Sequence, residues 1–291
     1  MIGRREFTGG AATLVGALIA TAPTASRSAG GLPDELRRLE LQSGGRLGVC
    51  VIETATGKQL GHREDERFPM CSTFKLLAVA AVLARIDTGQ ENLERRVPIE
   101  ARDILEYAPV TRRHVGKEMS VAALCEAAVT WSDNTAANLL VASLGGPAGV
   151  NAFAATLGDS ATRLDRVEPE LNEGAPGDIR DTTLPKAMAS DLSTLVLGNR
   201  LLPRSREQLI AWLVANKTGD ARLRAGLPRD WRVGDKTGSG RHGTANDVAV
   251  IWPVGRPPLV IAVYLTGATV DAAARDKVLA GVGKAVATAF A

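Results

Sequence analysis

The sequence predicts an α+β protein in which an α/β lobe carries a second, all-helical lobe as an insertion. Three observations lead there. The strand-like segments fall into two groups, two near the start of the chain and three near its end. The stretch between them, from about residue 70 to 216, reads as helices broken by Gly and Pro. Short turns join the last three strands, which makes them antiparallel neighbours, and the two groups can form one sheet only if the chain returns on itself.

The elements follow in order. Arg4-Arg5-Glu6-Phe7 is a charged start, Ala11 to Ala22 a short and weakly apolar run, and Pro23 to Ala29 small and polar. Residues 1–29 therefore have the profile of an export signal, too short to span a bilayer stably, and the paired arginines suggest twin-arginine export. The expected location is periplasmic or secreted, with no stable membrane anchor. Pro33 to Gln42 is a short helix with Leu36 and Leu39 on one side, stopped by Gly44-Gly45. Arg46 to Glu53 is a strand, and Thr54 to Gly57 turns it into a second strand near Gln59 to Arg63. The late strands are Trp231 to Thr237, Asp247 to Trp252 and Leu259 to Leu265. Val278, Val282, Val286 and Phe290 recur every four residues and stripe a closing helix. The expected lobes are 30–66 with 217–291, and 67–216.

Composition narrows the function. With 291 residues, 45% hydrophobic and 23% charged, the chain is globular, which excludes a disordered chain, a collagen and a coiled coil. The net charge is +3, and without the signal it falls to about +1. Lys and Arg are scattered, so no nucleic-acid partner is expected. Cys50, Cys71 and Cys125 are an odd number without metal-ligand spacing, and read as small buried hydrophobes. His62, His114 and His242 are far apart, so neither a metal nor another cofactor is expected. Nothing marks an oligomer, and the chain reads as a monomer.

Three motifs carry chemistry. In the apolar helical run 72–84, Lys75 is the only charge and lies three residues after Ser72, on the same face. A desolvated lysine can serve as base to a serine nucleophile at a helix start, where free N–H groups favour an oxyanion. Ser132-Asp133-Asn134 is a polar turn between two helical patterns, Val121 to Thr130 and Ala136 to Leu144. Lys236-Thr237-Gly238 ends the strand from Trp231, where edge N–H and C=O groups can pair with an amide-like substrate. Lys217-Thr218-Gly219 repeats the tripeptide, but follows a helical run and reads as a helix stop.

Ser72-Thr-Phe-Lys75, Ser132-Asp-Asn134 and Lys236-Thr-Gly238, in this order, form a signature of class A β-lactamases and penicillin-binding proteins. The chain resembles the class A serine β-lactamases over essentially its whole length after the signal. The resemblance implies the β-lactamase/transpeptidase-like fold, with a five-stranded antiparallel sheet flanked by helices. It also implies that Arg166-Val-Glu168-Pro-Glu-Leu-Asn172 opens an Ω-loop ending at Asp181, with a non-trans peptide before Pro169 and an Arg166–Asp181 ion pair. Its catalytic residues would be Ser72, Lys75, Ser132, Glu168 and Lys236. Glu168 and Asn172 would hold the water that attacks the acyl-enzyme, and backbone N–H groups of Ser72 and Ser239 would form the oxyanion hole. Asn134 would bond the acylamide of a β-lactam antibiotic, and Tyr107 would wall the cleft. Lys236, Thr237, Ser132 and Ser239, beside Gly238, would meet the substrate carboxylate.

Two departures stand out. Ala245 takes the place of an arginine that many members carry after the Lys-Thr-Gly turn, and Arg222 matches a position that supplies the guanidinium in some others. Gly240 stands where certain carbapenem-hydrolysing members place a cysteine to pair with one at Cys71, so that bridge is excluded. Rival functions are a D,D-peptidase, which lacks the loop carboxylate, and a β-lactam sensor that is acylated without hydrolysing.

Overall fold

In a computed structural model of the protein, residues 1–3 and 31–290 are described; the expected export signal lies outside them apart from its first three residues. The chain opens with α1 (Leu32–Ser43), which carries Pro in its first turn and ends on Gly44 at φ +67. Strands β1 (Arg46–Glu53) and β2 (Lys58–His62) form a hairpin, and β3 (Phe68–Pro69) leads to a 3₁₀ turn, Cys71–Thr73, and α2 (Phe74–Asp87). Next come β4 (Arg96–Pro98), β5 (Glu118–Ser120), α3 (Val121–Thr130), α4 (Asn134–Ser143) and α5 (Pro147–Thr156). After the loop that contains Glu168 the chain forms β6 (Thr182–Thr183), α6 (Pro185–Val196) and α7 (Pro203–Val214). It closes with α8 (Leu223–Gly226), β7 (Arg232–Gly240), β8 (Thr244–Trp252), β9 (Leu259–Thr266) and α9 (Ala272–Phe290).

The two groups of strands join in one sheet of order β2-β1-β9-β8-β7, with every pairing antiparallel. Strand β1 makes the return, with Val49 opposite Val263 and Cys50 opposite Ala262. Successive strand residues face opposite sides. Leu47, Val49, Val51, Ile261, Val263 and Leu265 pack with Leu36, Leu39, Val278, Val282 and Val286 of α1 and α9. Cys50, Ile52, Val248, Val250, Val260 and Ala262 face the core of the helical segment, which α2, α3, α4, α6 and α7 supply. Both faces are covered, and this is why β8 and β9 read as continuous apolar runs rather than alternating ones. The segment between the strand groups is not wholly helical: β3 pairs with β6 and β4 with β5 in two short ribbons.

Two of the boundaries that differ from the sequence reading bear on the site. The nucleophile helix begins at Phe74, with Ser72 in the preceding 3₁₀ turn. Strand β7 runs through Lys236-Thr237-Gly238 to Gly240, so the tripeptide lies within the strand rather than at its end. Its glycines serve close approach. A Cβ on Gly238 would meet Met70 O at 2.8 Å, and one on Gly240 would meet Cys71 Sγ at 2.6 Å. The turn comes later, at His242 and Gly243, with φ of +52 and +65. Cys50, Cys71 and Cys125 are buried and unpaired. Burial pushes the Cys50 thiol up to about 12 and raises the other two as well.

Candidate active site

Ser72 follows Cys71, whose φ of +46 is a left-handed conformation that costs a residue with a Cβ about 1–3 kcal/mol. Met70 N–H donates to Asp181 O at 2.9 Å, tying this segment to the end of the Ω-loop. One helical turn on, Lys75 is fully buried and its Nζ lies 3.0 Å from Ser72 Oγ. The same ammonium donates to Ser132 O at 2.8 Å and Asn134 Oδ1 at 2.6 Å, and sits 2.9 Å from Glu168 Oε1. Burial pulls the Lys75 pKa below its ordinary value, opposed by the charge of Glu168.

The second motif turns the chain between α3 and α4. Ser132 has φ +58, which lets one residue present both its carbonyl and, at 3.4 Å, its hydroxyl to Lys75. Asp133 caps α4 through Ala136 N–H at 2.9 Å. Its other oxygen takes the N–H groups of Val110 and Thr111, both at 2.9 Å, and Asn134 N–H donates to Tyr107 O at 3.0 Å. These bonds fix the loop that presents Tyr107, 49% exposed, at the mouth of the cleft.

The Ω-loop starts with Arg166, whose Nε donates to Asp181 Oδ2 at 2.6 Å, and the peptide Glu168–Pro169 is cis. Asp181 Oδ1 also accepts the N–H groups of Asp165 and Arg166 at 2.7 and 2.9 Å. Glu168 points inward: it is 1% exposed, and its Oε1 accepts the Ser72 hydroxyl at 3.0 Å. Asn172 Nδ2 donates to Glu168 Oε2.

The third motif lies on β7, the edge strand beside the nucleophile. Lys236 is buried, and its Nζ donates to Ser132 Oγ at 3.0 Å and to Thr237 O at 2.9 Å. Burial, with the charge of Lys75 added, lowers its pKa to about 7. Arg222 reaches over the same strand. Its Nη1 donates to Gly238 O and Asn246 O, both at 2.7 Å, its Nη2 to Ser239 Oγ at 2.7 Å, and its Nε to Asp276 at 2.9 Å. Four of its five donors are thus committed before any ligand arrives.

These side chains line a cleft of about 320 Å³ whose walls include Ser72, Tyr107, Asn172, Arg222 and Ser239. A larger hollow of about 650 Å³ lies between Gly174–Ile179 and the strand ends at Arg46 and Thr266, with no serine beside a base. The arrangement is that of an acyl-transfer site: a hydroxyl nucleophile between a buried amine and a buried carboxylate, next to an open strand edge.

A profile of the "Beta-lactamase enzyme family" matches residues 31–290. In a solved ancestral class A β-lactamase the chain path is the same, with a TM-score of 0.88 at 64% identity over 89% of this chain and 100% of that one. The chain belongs to the class A β-lactamases. Beta-lactamase CTX-M-97 of Escherichia coli is 49% identical over 94% of both chains. Beta-lactamase L2 of Stenotrophomonas maltophilia is 48% identical over 98% of both.

Three residues that sequence reasoning missed touch the predicted site residues. Asn138 Nδ2 donates to Glu168 O at 2.8 Å, and its Oδ1 accepts Glu168 N–H at 3.0 Å. The signal was available, because Asn138 follows Asn134 by four residues and shares its face of α4. Thr218 lines the cleft and touches Thr237 Oγ1, although its tripeptide reads as a helix stop. Asp276, the anchor of Arg222, carries no local signal.

Proposed function

We propose that the protein hydrolyses the β-lactam amide of penicillins and cephalosporins through a Ser72 acyl-enzyme, conferring resistance to these antibiotics. The observation that carries this reading is the buried Glu168 carboxylate 3.0 Å from Ser72 Oγ. Ser72 Oγ attacks the lactam carbonyl carbon. Its proton passes to Glu168 directly or to Lys75, both within hydrogen-bond reach. Backbone N–H groups of Ser72 and Ser239 stabilise the tetrahedral oxygen, each such donor being worth about 10²–10³ in rate. Ser132 Oγ accepts from Lys75 and Lys236, so its own hydrogen is free for the departing nitrogen; Lys75 then passes the proton taken from Ser72 on to Ser132, which leaves Glu168 ionised again. Glu168 then deprotonates a water that Asn172 orients, and the ester is hydrolysed.

Asn134 offers its Nδ2 to the substrate acylamide, since its Oδ1 is engaged by Lys75. Lys236, Thr237, Ser132 and Ser239 receive the substrate carboxylate. Arg222 adds positive charge below them and leaves the Ser239 hydrogen free to donate, because it occupies a lone pair of that hydroxyl.

A chromogenic cephalosporin tests the reading: rapid turnover by the wild type and a covalent adduct trapped on Glu168→Ala are expected. Failure of the wild type to deacylate would instead make the chain a D,D-peptidase or a sensor. The same reading takes residues 1–29 as a twin-arginine export signal and the folded enzyme as a monomer. Replacing Arg4 and Arg5 by lysine should leave the activity inside the cell; unchanged export would refute that route.

A further inference from the structure

The tripeptide Lys-Thr-Gly occurs twice, at 217–219 and at 236–238. The first copy lies against the second. Lys217 N–H donates to Thr130 O at 2.9 Å, and a Cβ on Gly219 would meet Asp235 Oδ2 at 2.1 Å, so the glycine lets this loop lie on β7. Thr218 Oγ1 thereby reaches Thr237 Oγ1.

The hydrogens in this contact can be assigned. Asn216 Nδ2 donates to Asp235 Oδ2, which turns its Oδ1 toward Thr218, where it can only accept. It accepts the Thr218 N–H at 3.1 Å and the Thr218 hydroxyl at 2.8 Å. A hydroxyl has one hydrogen. With Thr218 donating to Asn216, the contact between the two threonines requires Thr237 as donor. In the free enzyme the Thr237 hydrogen therefore points away from the cleft, and an entering anion meets its lone pairs. Thr218 can reverse this by rotating its hydrogen onto Thr237, while its N–H continues to satisfy Asn216 Oδ1. Two hydroxyl rotations convert the pair, and no heavy atom moves.

We infer that Thr218 is a positioning residue for substrate binding, switching the Thr237 hydroxyl from internal donor to donor toward the substrate carboxylate. The inference rests on the β-lactam reading above. In the bound arrangement Thr218 donates to Thr237, which donates to a charged oxygen, and a hydrogen bond of that kind is about twice as strong as a neutral one. Loss of the Thr218 hydroxyl thus weakens the bound state more than the free one.

Thr218→Val keeps the shape and removes the hydroxyl. It should raise KM for benzylpenicillin about three- to tenfold with little change in kcat. Thr218→Ser should restore KM. In a Thr237→Val background, Thr218→Val should add no further change, because its partner is gone. An unchanged KM in Thr218→Val, an undiminished effect in the Thr237→Val background, or failure of the serine to rescue would each overturn the assignment. So would a parallel loss of kcat and melting temperature, which would make the contact structural. If the wild type turns over no β-lactam at all, it is the functional reading that fails, before any variant is compared.

Discussion

Asn138 grips Glu168 by both of its backbone polar groups, donating to the carbonyl at 2.8 Å and accepting the N–H at 3.0 Å. The carboxylate that faces Ser72 is thus aimed from helix α4 as well as from the ends of its own loop. Asn138→Ala removes both bonds, which together contribute about 1–3 kcal/mol to stability. The variant should lose about tenfold in kcat with acylation less affected than deacylation, since in the proposed mechanism Lys75 is an alternative base for acylation only. Pre-steady-state kinetics should show a retained burst followed by a slowed steady state. Loss of the burst would count against this division.

Lys236 titrates near neutrality. Its folded pKa is lowered to about 7, so its charge is present below that pH and lost above it. Attraction for a substrate carboxylate follows the charge. The kcat/KM profile, which reports the free enzyme, should bend downward above about pH 7. Lys236→Arg, which stays charged, should move that limb up by at least about one unit. A limb that stays in place would assign the titration to another group.

Arg222 serves four acceptors on three segments of chain. Arg222→Ala should lower kcat/KM for penicillins severalfold or more while the protein still folds. Arg222→Lys should not restore activity, because a single ammonium cannot span Gly238 O, Asn246 O, Ser239 Oγ and Asp276. Unchanged kcat/KM in the alanine variant would remove Arg222 from substrate recognition.

Asp191 and Asp159 form a buried carboxyl pair, 2% and 8% exposed. Asp159 Oδ1 accepts the N–H groups of Ala161 and Thr162 at 2.7 and 2.9 Å. Burial and the neighbouring Asp159 raise Asp191 from 3.8 to about 9. The folded state therefore holds a proton that the unfolded chain releases above about pH 4, and stability falls as pH rises from there to about 9. Asp191→Asn supplies a permanent donor in place of that proton. It should raise the melting temperature by roughly 5 °C at about pH 8 and by little at about pH 4. An equal gain at both pH values would refute a proton held on Asp191.

Much of this was legible in the chain. The order of the long helices and of the five sheet strands followed from periodicity, though the two short ribbons did not, and the clustering of Ser72, Lys75, Ser132, Glu168 and Lys236 followed from motif resemblance. The Arg166–Asp181 pair was implied in the same way. What was not legible depends on neighbours distant in sequence. The strand was read as ending at Lys236-Thr237-Gly238, whereas Gly238 and Gly240 continue it and admit Met70 and Cys71, which no local pattern reveals. Thr218 was passed over because a Gly after a helical run is a good stop signal, and its contact with Thr237 exists only once the sheet has formed. The left-handed backbones of Cys71 and Ser132 are imposed by tertiary structure on residues that do not ordinarily adopt them.

Strand β7 borders the sheet, and an uncovered border invites another polypeptide to add itself alongside. Here its far end is guarded: Arg241 N–H donates to Asn172 O at 3.0 Å, so the Ω-loop lies across the approach. The opening left beside it is the cleft of about 320 Å³. The loop that carries Glu168 thereby also shields one end of a border at which another chain could add itself.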